Sequence, residues 1–360
     1  MSPPGQPGRP RPPAVERVRR YPRRVTSARD PYPRNRRTGA FERRVSSALD
    51  RLADIEAPLL VACSGGPDSL ATLIAVARSR PGRVTAAWFD HATRPAVEVT
   101  AEGEVVRQAA RNLGVGFVEG RASRPPRGEA AARTARYRWL ARAATRAGVA
   151  AAVTGHTRDD QAETVLLRLA RGTGARGAAG MASDSPWPVA GPGPASLRLL
   201  RPLLSLGRAD VEAYLEALDV RAVRDPSNES REYARNRIRH DVLPRLAEVN
   251  SEAAAHLAAF AGRQREDDDA LAGWAERWLA EQARPAGGGL VLPRASLVAL
   301  PRAVRSRVAA CAAERAGFRL SEAQQTAIGR HLEQGGVWQV AAVDGTVEGR
   351  GTVVRMRRNA

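Results

Sequence analysis

Leu59-Leu60-Val61-Ala62-Cys63-Ser64-Gly65-Gly66-Pro67-Asp68-Ser69 is the stretch that decides the fold. A short apolar run, Leu59–Cys63, reads as a buried strand. Pro67 onward reads as a helix, with Leu70, Leu73, Ile74 and Ala77 on one face. Two consecutive glycines at the junction let backbone N–H groups approach an anion, and the helix N-terminus aims its dipole at the same point. Pro67 suits the first helical position, where its missing N–H costs nothing. Ser64 and Ser69 add hydroxyls. Asp68 would repel a phosphate in a pure anion site, but it fits if a Mg²⁺ bridges it to nucleotide phosphates. The bland alternative is a glycine-rich turn before a capped helix.

Working outward, strand-like runs recur at Val84–Phe89, Val115–Val118, Val149–Thr154 and Leu197–Leu200. Helical stretches lie between them at 67–79, 97–113, 129–147 and 158–171, and a helix–strand pair is expected at 208–219 and 220–223. This alternation predicts an α/β domain with a doubly wound, mostly parallel sheet, whose ligands sit beyond the carboxyl ends of the strands. The segment 182–196, rich in Pro, Gly and Ser, reads as an inserted surface loop. From about 231 the period changes. Arg235–Val249, Glu252–Glu281, Arg302–Ala316 and Ser321–Glu333 read as helices, and Val337–Val343 and Thr352–Met356 as small strands. The expected organisation is a disordered Arg/Pro-rich arm over 1–44, an α/β domain over 45–230 and a mainly helical domain with a short β end over 231–360.

The chain has 360 residues and a net charge of +19. Residues 1–44 hold thirteen Arg against Glu16, Asp30 and Glu42, so they carry +10 and the remaining 316 residues carry +9. The body is therefore basic without its arm, which favours a polyanionic partner, nucleic acid first. A general solubility bias is the plain alternative. All 57 basic residues are Arg, and the sequence has no Lys. A Walker A loop and a Schiff-base lysine are thereby excluded. Cys63 and Cys311 form no C-x-x-C pair, so zinc ribbons, clusters and dithiol redox chemistry find no support. No apolar run approaches the ~18–20 residues of a membrane span, and the N-terminus lacks the apolar core of a signal peptide. The expectation is a cytoplasmic protein without a membrane partner. A homodimer is compatible with the sequence, which does not fix the oligomeric state.

The strand–SGGxDS–helix arrangement resembles the PP-loop ATPases, which split ATP between the α and β phosphates and adenylate an oxygen of their substrate. Further motifs narrow the resemblance: Phe89–Arg94, Ala132–Tyr137, Gly155–Thr164, Arg171–Gly174, Arg201–Leu204, Asp225–Asn228 and Tyr233–Arg239. In this order and spacing the set, spanning about 58–245, resembles the tRNA(Ile)-lysidine synthetases. That resemblance implies a ligase of tRNA modification using ATP and Mg²⁺. It adenylates the wobble cytidine of the CAU-anticodon isoleucine tRNA and joins L-lysine to its C2, releasing AMP and pyrophosphate.

Candidate site residues follow. Ser64, Gly65, Gly66, Pro67, Asp68 and Ser69 are the expected ATP-binding loop, with Asp68 also the Mg²⁺ ligand. Asp160 and Glu163, three apart on one helical face, would cradle the ammonium groups of lysine; alternatively Asp160 only completes a capping box with Thr157. His156, at a strand end, would contact phosphate or transfer a proton, unless it is structural. Arg136 would stabilise charge on the α-phosphate, or belong to a solvated arginine face, and Arg133 and His91 are less defined candidates. Tyr233, Arg235, Arg237 and Arg239 would hold tRNA through stacking and phosphate contacts, a solvated charged helix being the alternative. Rival readings are a PP-loop tRNA thiolase, which lacks suitable cysteines here, a small-metabolite amide ligase, and a non-enzymatic RNA-binding protein.

Overall fold

The expected central strand, β1, spans Leu59–Ala62 and is buried in the middle of a six-stranded sheet. The computed structural model describes residues 30–359 other than 53, 55, 94, 95, 192, 195 and 224–229, with the backbone alone described over 96–100. Arg94 and Asp225–Asn228 therefore lie outside the described residues, as does most of the expected arm.

The other strands are β2 (Val84–Asp90), β3 (Gly116–Arg121), β4 (Ala151–Val153), β5 (Asp184–Pro186) and β6 (Arg198–Leu200), in the order β3-β2-β1-β4-β6-β5. All pair in parallel except β5, which runs antiparallel to β6 at the edge. Leu59 sits opposite both Val84 and Ala151. Strand order reverses between β1 and β4, so the crevice at their carboxyl ends is the topological switch point.

Helix α2 (Pro67–Ser79) buries every residue from Leu70 to Ala77. A helix apolar on all sides must be enclosed, and it is. Around it pack α1 (Arg36–Leu52) and α7 (Arg208–Ala217), while α3 (Ala96–Asn112) lies on the same side of the sheet and α4 (Glu129–Ala147) covers the other. Helix α5 (Arg158–Ala170) follows β4, and the short α6 (Ala175–Ala178) follows α5. Helix α1 begins well inside the stretch expected to be arm. Its stripe Phe41, Val45 and Leu49, spaced by four, is buried, and Phe41 stacks on Tyr214 with ring centroids 4.1 Å apart. The assumed boundary at 44 cut that stripe and hid its period. The described segment before α1 is tied down too: Arg78 donates to Asp30 and to Tyr32 O, each at 2.7 Å, and also to Glu42 of α1 at 2.5 Å.

The described residues divide into two compact units, those within 1–164 with 181–258, and those within 165–180 with 259–360. The first thus contains α8 (Ala234–Arg237), a π-helical turn over Ile238–Val242 and α9 (Leu243–Val249), where one continuous helix was expected. The second contains most of α10 (Ala253–Gln282), then β7 (Arg284–Ala286), β8 (Gly289–Pro293), α11 (Arg294–Val298), α12 (Arg302–Arg315), α13 (Glu322–Gln334), β9 (Trp338–Ala341), β10 (Gly345–Arg350) and β11 (Val353–Arg358). Its strands form an antiparallel sheet in the order β7-β8-β11-β10-β9, sharing a core with α12 and α13. The β7–β8 hairpin was not anticipated, although Gly287 and Gly288, at φ +56° and +75°, supply the left-handed pair that a tight hairpin turn needs. Likewise 220–223 forms no strand; Val223 N–H instead donates to Gly65 O at 3.0 Å.

Candidate active site

The glycine loop leaves β1 at the switch point. Gly65 has φ +91°, which L side chains rarely adopt, and Gly66 caps α2 with Pro67 at the first helical position. Ser69 Oγ ties the loop from inside, accepting from Ser64 N at 3.1 Å and donating to Gly66 O at 2.9 Å. Ser64 Oγ lies 3.2 Å from Ser69 Oγ. The loop is therefore preformed, with its backbone at a helix N-terminus that carries no side-chain cap.

Asp68 follows on the first turn of α2. Its Oδ1 is enclosed and has no hydrogen-bond partner. Burial, and secondarily the charge of Asp160, push its carboxyl up to about 6 from an ordinary 3.8. An orphaned carboxylate oxygen beside further acids suits a divalent cation. Among the described residues no group of three His, Cys, Asp or Glu converges as a metal cage. Mg²⁺ commonly takes one or two carboxylates and completes its shell with phosphates and water, so the donor set fits that mode of binding.

Strand β4 leads through Thr154–Thr157 into α5. Thr157 and Asp160 make the reciprocal cap: Thr157 N donates to Asp160 Oδ2 at 2.8 Å, and Asp160 N to Thr157 Oγ1 at 3.4 Å. The capping role of Asp160 is thus present, and it uses only Oδ2. Asp160 Oδ1 accepts from Arg235 at 3.0 Å and from Arg239 at 3.3 Å. Glu163, whose side chain is fully buried, accepts from Arg235 Nε at 2.8 Å and from Arg239 Nε at 2.6 Å. Arg208 approaches the same carboxylate at 3.6 Å. Two groups read separately from the sequence, the acid pair and the basic segment, meet here in one ion-pair network. The basic segment is divided by this. Arg235 and Arg239, four apart, face inward, while Tyr233 and Arg237, also four apart, are exposed.

His156 bonds Thr154 Oγ1 through Nδ1 at 2.8 Å. Burial, and then the charges of Arg201, Arg235, Arg133 and Arg136, hold its pKa well below the usual histidine value. The ring is therefore neutral near pH 7. Arg133 and Arg136 sit over the ring of buried Tyr137, at 4.8 and 5.5 Å from its centroid. His91 packs edge-on against Phe89, 5.1 Å between centroids, after a turn in which Ala92 N donates to buried Asp90 at 2.6 Å. Cys63 is sealed beneath the loop, and burial raises its thiol to about 11, so it presents no thiolate.

A family described as a PP-loop domain matches residues 38–246. A tRNA(Ile)-lysidine synthase of Streptomyces coelicolor is 43 % identical over 272 residues, covering 72 % of this chain and 73 % of that protein. The one from Thermobifida fusca is 41 % identical over 261 residues, covering 69 % and 74 %. The chain belongs to the tRNA(Ile)-lysidine synthase family. Among solved structures, the U34-tRNA thiolase NcsA of Methanococcus maripaludis superposes with a TM-score of 0.51 at 15 % identity, over 64 % of this chain and 79 % of that one. That likeness concerns the fold.

Three further residues line this candidate site, two of them inside motifs of the sequence and one outside them. A Cβ on Gly155 would stand 2.6 Å from Asp68 O and 2.7 Å from Thr72 Oγ1, so only glycine lets the chain leaving β4 pass against the start of α2. Arg201 is buried, donating to Ala182 O at 2.6 Å, and its charge acts on His156. Arg208 opens α7, where its N–H donates to Asp159 at 2.7 Å and its guanidinium charge acts on Asp68. The Gly155-His156 and Arg201-Pro202 pairs were visible signals at strand ends; Arg208 had none, because an arginine at a helix start resembles any other in an arginine-rich chain.

Proposed function

We propose that this chain joins L-lysine to the wobble cytidine of the CAU-anticodon isoleucine tRNA in two ATP-dependent steps. In the first, the C2 carbonyl oxygen of the cytidine attacks the α-phosphorus of ATP; the bond to the bridging oxygen breaks and pyrophosphate leaves. In the second, an amine of free lysine attacks C2, the C2–oxygen bond breaks with AMP departing, and the amine loses a proton. The chain has no Lys, so the nucleophile is external.

The glycine loop would bind the departing β and γ phosphates through backbone N–H groups, and Asp68 would hold Mg²⁺ against them. When bound, that ion supplies charge neutralisation to the phosphates. Arg136 and the neutral His156 would face the α-phosphate, and Asp160 with Glu163 would receive the ammonium groups of lysine. Tyr233 and Arg237, on the exposed face of their segment, would contact the anticodon arm. RNA contact is assigned to the region from 231 onward, and a cytoplasmic location follows from such a substrate. Arg133 and His91 are kept as supporting candidates: Arg133 shares the ring of Tyr137 with Arg136, and His91 follows β2 at the same sheet edge.

One observation carries the reading. At one switch point Asp68, with its unpartnered Oδ1, stands at the glycine loop, where it feels Asp160 and then Arg208 and Arg239, while His156 feels Arg201, Arg235, Arg133 and Arg136. A carboxylate fit for a metal, an acid pair and a cluster of cations brought to one phosphate loop are what adenylation followed by amine attack requires. The test is AMP formation with and without L-lysine and the CAU-anticodon isoleucine tRNA. Dependence of lasting turnover on both is expected; ADP as the nucleotide product, or turnover without RNA, would refute it.

A further inference from the structure

Every oxygen of the acid pair is engaged. Asp160 Oδ2 is taken by Thr157, Asp160 Oδ1 by Arg235 and Arg239, and the two oxygens of Glu163 by Arg235 and Arg239, with Arg208 near one of them. In this conformation an incoming ammonium finds no bare carboxylate. The two guanidinium groups stand where a diamine's charges would stand.

Such a cluster is a poor device for stability alone. Burying a fully enclosed glutamate with its partners incurs a large desolvation penalty, and apolar residues of similar volume commonly serve as well or better. Arg235 and Arg239 keep raised pKa values because the charges of Asp160 and Glu163 outweigh the opposing effect of burial. They therefore leave the acids only for another anion or another position, not by losing a proton.

The short segment that carries these arginines presents two faces. Tyr233 and Arg237 occupy its outer face, out of phase with the inner pair. Arg239 lies in the π-helical turn Ile238–Val242, and single π turns inside helices are irregularities that recur at functional sites. A phosphate backbone docking on Arg237 would act on the same short segment that holds Arg235 and Arg239.

The geometry points to a guarded amine site: Arg235 and Arg239 occupy the acid pair as internal surrogates of the lysine ammonium groups, and RNA binding on the outer face withdraws them. Lysine binding is therefore coupled to RNA binding. This rests on the assignment of Asp160 and Glu163 to lysine. Its consequence is order: the amine is admitted only where an acceptor nucleotide is present, so an activated intermediate does not meet stray amines first.

The experiment is equilibrium dialysis of radiolabelled L-lysine against the full chain with Mg²⁺ and a non-hydrolysable ATP analogue, with and without an unmodified CAU-anticodon isoleucine tRNA transcript. Lysine affinity should rise roughly tenfold or more on adding RNA, within the usual range of coupling between sites. Arg239→Gln, without RNA, should bind lysine more tightly than the wild type without RNA, though Arg235 still holds part of the acid pair. Equal lysine affinity of the wild type with and without RNA overturns the guard, and that measurement does not depend on how the variant folds. Glu163→Gln separates the two layers. If it binds lysine normally in the presence of RNA, the acid pair is not the lysine site, and the guard falls with that assignment. If it loses lysine while the wild type shows no RNA dependence, the assignment stands and only the guard is wrong.

Discussion

At the residue scale, Asp68 combines the proposed metal-binding position with a cost in stability. Burial raises its carboxyl to about 6, above the ordinary 3.8 that an unfolded chain would show. The folded state then holds the proton more tightly than the unfolded state between those values. Its contribution to stability is complete below about pH 4 and is lost as pH rises through about 6. In metal-free buffer at pH 7.5, Asp68→Asn should therefore unfold at higher urea than the wild type, by about 1–3 kcal/mol, with the difference vanishing near pH 4. Asp68→Ala should abolish AMP release while leaving tRNA binding nearly intact; normal turnover would remove Asp68 from the phosphate site. Gly155 makes the complementary point about space. Its Cβ would strike the backbone of α2, which cannot yield as a side-chain tip can. Gly155→Ala should cost about 1–3 kcal/mol and displace Asp68, so AMP formation should fall far more than thermal stability implies.

At the element scale, the informative unit is the segment α8–π turn–α9 set against the start of α5. Glu163 is enclosed by guanidinium groups on this segment and on α7. Replacing its charge leaves Arg235 and Arg239 short of a partner in a buried place, a change that commonly costs about 3–5 kcal/mol when complete. Glu163→Gln retains size and some hydrogen bonding, so about half that loss is expected in urea unfolding. In catalysis the same variant should raise the KM for lysine with little change in the KM for ATP. An unaltered lysine dependence would place the amine elsewhere. Cap and carboxylate roles also divide here within one residue, since Asp160 spends one oxygen on Thr157 and the other on the arginines.

At the scale of the whole molecule, the excess of positive charge has two distinct origins. Residues 1–29 hold eight arginines against Glu16, and so basic a stretch should add diffuse, salt-sensitive affinity for RNA. Removing 1–29 should weaken tRNA binding at low ionic strength and have little effect near roughly 0.2 M salt, read as a shallower slope of log affinity against log salt. Removing 1–44 is a different experiment. It takes away Phe41, which stacks on Tyr214, and Glu42, which holds Arg78, so that shorter chain should lose stability rather than only RNA affinity. A 1–44 deletion with an unchanged melting temperature would show that α1 does not contribute as its burial implies.

The doubly wound sheet, the loop after β1 and the start of α5 were legible in the sequence because each depends on local order: an apolar run, two glycines, a helix cap, all within about a dozen residues. The run Leu59–Ala62 and the helix from Pro67 appear where the pattern places them. The π turn, the β7–β8 hairpin and the early start of α1 were less legible, since each is decided by packing across a boundary that a window of sequence does not see. What tertiary structure alone decided is which charges meet. Arg235, Arg237 and Arg239 are equivalent in a list of residues, yet helical phase turns two of them onto carboxylates more than seventy positions away and leaves the third in water. Electrostatic energy depends on distance and burial through space, and neither quantity is written in the order of residues along the chain.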